Sequence, residues 1–356
     1  MLLGVIKKYH LNISLSLLSF FVILPFLILV ALTESPDTNA YRLFLTHVDY
    51  NLFNMYGTEF AIGFQLFTKM IKFVFGDSYF LYIFILTSVN CLLIIEIIKL
   101  ISQQICCGDN NKKKHFDHVL ALVMYFSYFG LYYNSIAIRA NYTLTIIYLI
   151  TAIYINRNIT LRLILLTIFM LIVSSLFHKT AILGILVLIV FYFSHQYSKK
   201  TYILLWIGTG CIYFFGLSKI FVHWFLETNM LNKLLNIMNS DGLREIVRYS
   251  TFVNIENSIS YKFIFQYLVA FLLIFPKKQI KFYYQYLNVY FMGIIIGGFF
   301  GSMGTITRIQ DFFTFSLFIL SWLFIRELKI AWFTVVLSII IVIPQLIFVI
   351  RIINNY

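Results

Sequence analysis

Charge is what this sequence has least of. Only 12% of its 356 residues are Asp, Glu, Lys or Arg, while 61% are hydrophobic. A soluble domain cannot bury so large an apolar share, whereas a chain in lipid has to expose one. Segments of about 20 apolar residues match a bilayer crossing, and here they follow one another almost end to end. Barrel strands alternate polar and apolar residues, and these runs do not. Cysteine is scarce as well. Cys91, Cys106, Cys107 and Cys211 have the spacing of neither a disulfide framework nor a zinc site. Cys106 and Cys107, neighbours in a basic loop, read as reduced thiols. The Walker loop, HExxH, CxxC and GxSxG signatures are missing. So is an Asp-x-Asp pair of the kind that holds a metal-bound sugar nucleotide. With no repeat and no low-complexity tract, residues 1–356 read as one transmembrane domain.

What is present predicts an all-α, polytopic integral membrane protein of about eleven transmembrane helices, in a range of ten to twelve. They are expected near 14–33, 79–100, 118–134, 140–156, 161–177, 180–195, 201–219, 260–275, 285–303, 309–325 and 330–350. The opening "MLLGVIKKYH" looks like a signal peptide, but its apolar core is too long and no small-x-small cleavage site comes after it, so it reads as an uncleaved first helix. Placing the N-terminus in the cytoplasm gathers Lys7–Lys8, Lys112–Lys114, Lys199–Lys200 and Lys277–Lys278 on one side, with few acids. The positive-inside rule asks for that arrangement. The net charge of +13 is therefore a topology signal and implies no nucleic acid.

Two extracytoplasmic segments are long, 34–78 and 220–259, and both carry amphipathic stretches expected to lie as interfacial helices. In the first, Phe60, Phe64, Phe67 and Ile71 line one face with Lys69 and Lys72 off it; in the second, Leu231, Leu234, Leu235 and Met238 form a stripe. The cytoplasmic loops are short, so chemistry is expected outside. The glycines of "GIIIGGFFGSMG", 293–304, predict close helix packing, with a kinked helix lining a cavity as the sharper reading.

The stretch "VSSLFHKTAILGILVLIVFYF", 173–193, sets His178–Lys179 between two short apolar runs, at an outward turn expected to lie below the membrane surface in a wet recess. Arginines on this side run against the insertion bias: Arg139, Arg308, Arg244 and Arg248, the last two one helical turn apart. Guanidinium forks match phosphate oxygens bidentately, so these four, with Lys179, are candidate ligands of a lipid diphosphate. The plainer readings stay open. Arg42 is expected to pair with an acid or reach the interface, Arg308 has Asp311 one turn on, and Arg244 and Arg248 have Asp241 and Glu245 nearby. His178 is a candidate base for a sugar hydroxyl, or a turn histidine bonded to backbone. Asp49 and Glu59 compete for the catalytic role.

Four motifs then carry a resemblance. "VDYNLFNMYGTEFAIGFQLF", "YNSIAIRANYTL", "SSLFHKTAI" and "TRIQDFF" resemble, in order, the signatures of EpsG-like proteins, which group with the Wzy-type polymerases of O-antigen, capsule and exopolysaccharide. The resemblance covers about residues 30–325. It implies a metal-independent glycosyltransferase of the bacterial inner membrane, acting at the periplasmic face. The partners implied are an undecaprenyl-diphosphate-linked chain as donor and a lipid-linked repeat unit as acceptor, with no cofactor needed because the donor bond is already activated. A chain-length regulator is a further partner left open. His178, Asp49 and Glu59 would deprotonate the acceptor or orient the sugars, and Tyr50, Tyr56 and Asp311 would contact glycan. An O-antigen ligase or another polyprenyl-linked-sugar transferase remains the first alternative, and a precursor flippase the second.

Overall fold

Lipid offers the backbone no hydrogen bonds, so each apolar segment has to close its own. The computed structural model describes residues 21–35, 37–49, 51, 60–105, 111–155, 160–220, 260–276, 281–300, 306–328 and 331–354, with side chains at all of these except 111–117, 281, 306–308 and 331–332. Their regular structure is all helical. Helix occupies each interval expected from the sequence, and Leu161–Phe177 has the expected bounds. Among the described residues four helices are long and apolar enough to cross a bilayer: Tyr79–Ile105, Ile138–Ile155, Ile309–Arg326 and Phe333–Asn354. The chain divides into two compact units, one of Met1–Ala181 with Gln345–Tyr356, the other of Ile182–Pro344.

The first unit contains α1 (Phe21–Leu32), α2 (Thr38–His47), α3 (Ile62–Phe75), α4 (Tyr79–Ile105) and α5 (Asn111–Tyr125). It continues through a π-helical turn (Phe126–Gly130) into α6 (Leu131–Ser135), α7 (Ile138–Ile155), α8 (Leu161–Phe177) and a 3-10 turn, Lys179–Ala181. Helix α7 lies between α4 and α8, and every residue from Asn141 to Tyr148 is buried. That is the pattern of a helix enclosed on all sides. Its polar residues are answered in kind. Asn90 donates to the Tyr125 hydroxyl at 2.7 Å, Asn141 to Asn134 Oδ1 at 2.9 Å, and the Thr145 hydroxyl to Asn90 Oδ1 at 2.8 Å. A satisfied network of this kind specifies one arrangement of its helices. The π turn contributes, because its extra residue per turn shifts the register of the helix after it; Asn134 Nδ2 bonds back to the Gly130 carbonyl at 2.7 Å.

Helix α3 departs from the expectation. Lys69 and Lys72, placed off the apolar face by the sequence pattern, are 1% and 4% exposed, while Met70, Phe73 and Val74 are exposed instead. The reason is at the end of α2, whose last carbonyls have no partner within the helix. Lys72 Nζ donates to the carbonyls of Leu45, Thr46 and Val48 at 2.8, 2.9 and 3.0 Å and pairs with Asp77 at 2.9 Å. Lys69 Nζ donates to the Asn51 carbonyl at 2.6 Å. An ammonium at a helix C-terminus also suits the negative end of the dipole.

In the second unit, α9 (Ile182–Tyr192), α10 (Lys199–Phe214), α11 (Tyr261–Leu273), α13 (Ile306–Thr314) and α14 (Leu317–Arg326) pack on α12 (Lys281–Phe300). Ser198 and Ser260 cap α10 and α11 with their side chains. Close packing at the glycines of α12 is what the structure shows. A Cβ on Gly297 would lie 2.8 Å from the Gln310 side chain, and one on Gly298 would lie 2.4 Å from Thr209 Cγ2. Helix α15 (Ala331–Asn354) contains Pro344, at which the second unit ends.

Candidate active site

The site begins with two antiparallel helices of the first unit. Tyr154 meets Thr167 at one end of the α7–α8 pair, and the Thr143 hydroxyl donates to the Ser174 carbonyl at 3.3 Å nearer the other. Arg139 lies four residues before Thr143, and His178 four after Ser174. Both therefore rise about 6 Å beyond that bond at the same end of the pair. The structure thus brings a cation and an imidazole from separate motifs to one level.

Phe60, just before α3, reaches Arg139, and α3 itself packs on the neighbouring turns of α7 and α8. The Arg139 guanidinium carbon lies 4.6 Å from the centroid of the Phe60 ring, a cation–π contact, and Phe60 stacks on Phe44 of α2 at 3.9 Å. Phe67 meets Tyr142 and Phe177 edge-on at 5.9 and 6.1 Å, and Tyr142 stacks on Phe177 at 5.0 Å. Gly63 permits the approach, because a Cβ there would lie 2.7 Å from Leu176 Cβ. Tyr41 of α2 closes the other side. Its hydroxyl is hydrogen-bonded by the Arg139 side chain and backbone, which answers one of the amides a helix N-terminus leaves unpaired. Burial pushes the Tyr41 phenol up, and the Arg139 charge pulls the other way.

His178 ends α8 with an extended backbone, φ −156° and ψ 133°. Its amide donates to the Ser174 carbonyl at 3.2 Å, and its carbonyl accepts from the Ala181 amide at 3.1 Å. Nδ1 accepts the Thr180 amide at 3.2 Å, and the Thr180 hydroxyl lies 2.6 Å from the same nitrogen. Lys179 is exposed. Asp49 is exposed too, and its Oδ1 accepts the Asn51 amide at 3.3 Å. The backbone on either side of it is held, Val48 by Lys72 and Asn51 by Lys69.

In the second unit Asp311 is buried and ion-paired with Lys262 of α11. Gln310 donates to Gln266 Oε1 at 2.7 Å beside it. The alternative partner read for Arg308 one turn away is thus engaged by a lysine 49 residues distant in sequence. Arg308 lies on α13. Arg42 pairs with Glu34 at 3.0 Å, as expected of it. Glu59, Tyr50, Tyr56, Arg244 and Arg248 lie outside the described residues, as does the stripe at 231–238.

Sequence reasoning missed Tyr41 and Phe60 as partners of Arg139, Lys69 and Lys72 as buried clamps, and Lys262. A buried lysine has no local signature, since the acceptors that make it tolerable come from other segments.

Residues 16–356 match the sequence pattern of the EpsG family. The chain belongs to the EpsG family. Neither a curated protein nor a solved structure matches it. All four motifs lie within the matched span, and with the apolar helices the match assigns this EpsG-family chain to the membrane and to polysaccharide biosynthesis. The family is associated with glycosyltransferase-like polymerase activity.

Proposed function

We propose that the protein is a membrane glycan polymerase. It moves an undecaprenyl-diphosphate-linked chain onto the terminal sugar of another lipid-linked repeat unit, at the outer face of the bacterial inner membrane. Its product is O-antigen, capsule or exopolysaccharide. The observation that carries this reading is the placement of Arg139 and His178 at one level, at the same end of the α7–α8 pair, within the EpsG family. In the transfer an acceptor hydroxyl oxygen bonds the anomeric carbon of the donor. The bond from that carbon to the diphosphate breaks, and its electron pair leaves with the diphosphate. Two tasks fall to the protein: holding the departing anion and taking the hydroxyl proton.

Arg139 suits the first task. A ring face and a phenol orient its guanidinium in advance, so charge developing on the leaving group meets a donor that need not reorganise. Lys179, next to His178, is assigned to the same anion by its chemistry, and Arg308, Arg244 and Arg248 stay candidate anion ligands by theirs alone. His178, Asp49 and Glu59 are the groups assigned to the proton and the sugars, with Tyr50 and Tyr56 stacking on glycan. Asp311 is assigned to hold α13, through Lys262, where it carries Arg308.

Deletion of the gene, followed by gel analysis of surface polysaccharide and complementation with the wild type, tests the reading. Single repeat units in place of long chains are expected. Bare acceptor core would mark a ligase, and precursor retained on the inner leaflet would mark a flippase; either would overturn it.

A further inference from the structure

The imidazole of His178 has its ring nitrogens assigned by its own turn. A backbone amide can only donate, so the Thr180 amide, 3.2 Å from Nδ1, requires an unprotonated Nδ1. A neutral imidazole with Nδ1 as acceptor carries its proton on Nε2. The contact is built into the fold. His178 is pinned by backbone bonds to Ser174 and Ala181 on either side, and the Thr180 hydroxyl sits 2.6 Å from the same nitrogen. Turning the ring to free Nδ1 would give up both of these Thr180 contacts. A general base has to present a bare nitrogen to the proton it takes. In this turn the nitrogen with the lone pair already accepts from the backbone, and the other one is a donor.

We infer that His178 is not the base but a hydrogen-bond donor, its Nε2–H directed to the departing diphosphate oxygen beside Arg139 and Lys179. This rests on the polymerase reading and changes what one residue does within it. The electron balance is unaltered. The acceptor oxygen joins the anomeric carbon, the carbon–diphosphate bond breaks with its pair on the diphosphate, and His178 keeps its proton throughout. The acceptor's proton goes to a carboxylate, that of Asp49, on the long loop that also supplies Phe60. Asp49 fits that task by its backbone, which the two buried lysines clamp on both sides. A donor that stabilises charge only as the bond breaks contributes roughly a hundredfold or more to the rate.

The test uses full-length protein in nanodiscs with lipid-linked repeat units, and three variants. A Gln side chain places an amide N–H near the position of Nε2 but is not a base at neutral pH; an Asn amide reaches only toward the position of Nδ1. His178→Gln is expected to keep polymerisation within about tenfold of wild type, whereas His178→Asn and His178→Ala fall by about a hundredfold or more. In parallel, 15N-histidine-labelled wild type, with the His178→Gln spectrum as the assignment reference, is expected to show Nδ1 as the unprotonated ring nitrogen of His178. A protonated Nδ1 overturns the inference whatever the activities. So does a His178→Gln variant as inactive as His178→Ala. Wild-type turnover in His178→Ala removes the residue from the site altogether. The deletion phenotype reports on the polymerase reading independently of all of these.

Discussion

Each unit of the molecule draws a lysine away from solvent, Lys72 buried and Lys262 half-buried, and the two are held in different ways. In the first, Lys72 gives its ammonium to three backbone carbonyls at the end of α2, with Asp77 as a more exposed fourth partner. Arg139 in the same unit rests on an aromatic face and a phenol. In the second unit Lys262 meets the buried carboxylate of Asp311 directly. The difference is chemical. Carbonyl dipoles, ring faces and hydroxyls orient a cation without neutralising it, while a carboxylate cancels it. The first unit uses these contacts to set cations and loops in place; the second uses a closed pair to fix α13 against α11.

Arg139 should give the largest effect on activity. Arg139→Ala is expected to reduce polymer formation by about a hundredfold or more at unchanged protein level. Arg139→Lys should recover only part, because a point charge replaces a planar fork. Arg42→Ala, which removes an exposed pair with Glu34, should change little. Chain-length gels of complemented deletion strains would show this, and normal chains from Arg139→Ala would erase the distinction between the two arginines.

The lysines come next, and here the comparison is sharpest. Lys262→Met leaves the buried Asp311 carboxylate without its lysine and should cost about 3–5 kcal/mol; adding Asp311→Leu should recover most of it. Lys72→Met should cost about 3 kcal/mol or more, since three carbonyls at roughly 1–3 kcal/mol each lose their donor. A second change at Asp77 can repair only its own share, because the other three partners are backbone. Thermal unfolding in detergent would read both, and a non-recovering double variant in the second unit would make the two lysines alike. The smallest effect is expected at α12. Gly297→Ala drives a methyl against Gln310 and should cost about 1–3 kcal/mol; no loss of stability would mean that the contact yields freely.

The range of the forces involved decides which features the sequence reveals. Helix positions are legible because lipid imposes them locally; Leu161–Phe177 ends where the apolar run meets His178, with no distant partner required. The turn at His178–Lys179 and the close approach at the glycines of α12 are legible for the same reason. The orientation of α3 is not. Its stripe, expected to lie in the interface, is buried within the protein at Phe60, Phe64 and Ile71, and its lysines are buried too, since Lys72 finds carbonyls at the end of α2 more than twenty residues away in sequence. The partner of Asp311 is hidden on similar grounds, because a nearby Arg308 is visible in the sequence and Lys262 is not. The level shared by Arg139 and His178 becomes visible only once Thr143 and Ser174 set the register of α7 against α8.

The central claim is that Arg139 is set in place to grip a lipid diphosphate, and direct binding tests it best. Polyprenyl diphosphate is titrated into wild type, Arg139→Ala and Arg42→Ala in nanodiscs. The account predicts that Arg139→Ala binds about tenfold or more weakly, a difference of about 1.4 kcal/mol or more, with Arg42→Ala within about twofold of wild type. Equal affinity in Arg139→Ala and wild type would contradict it.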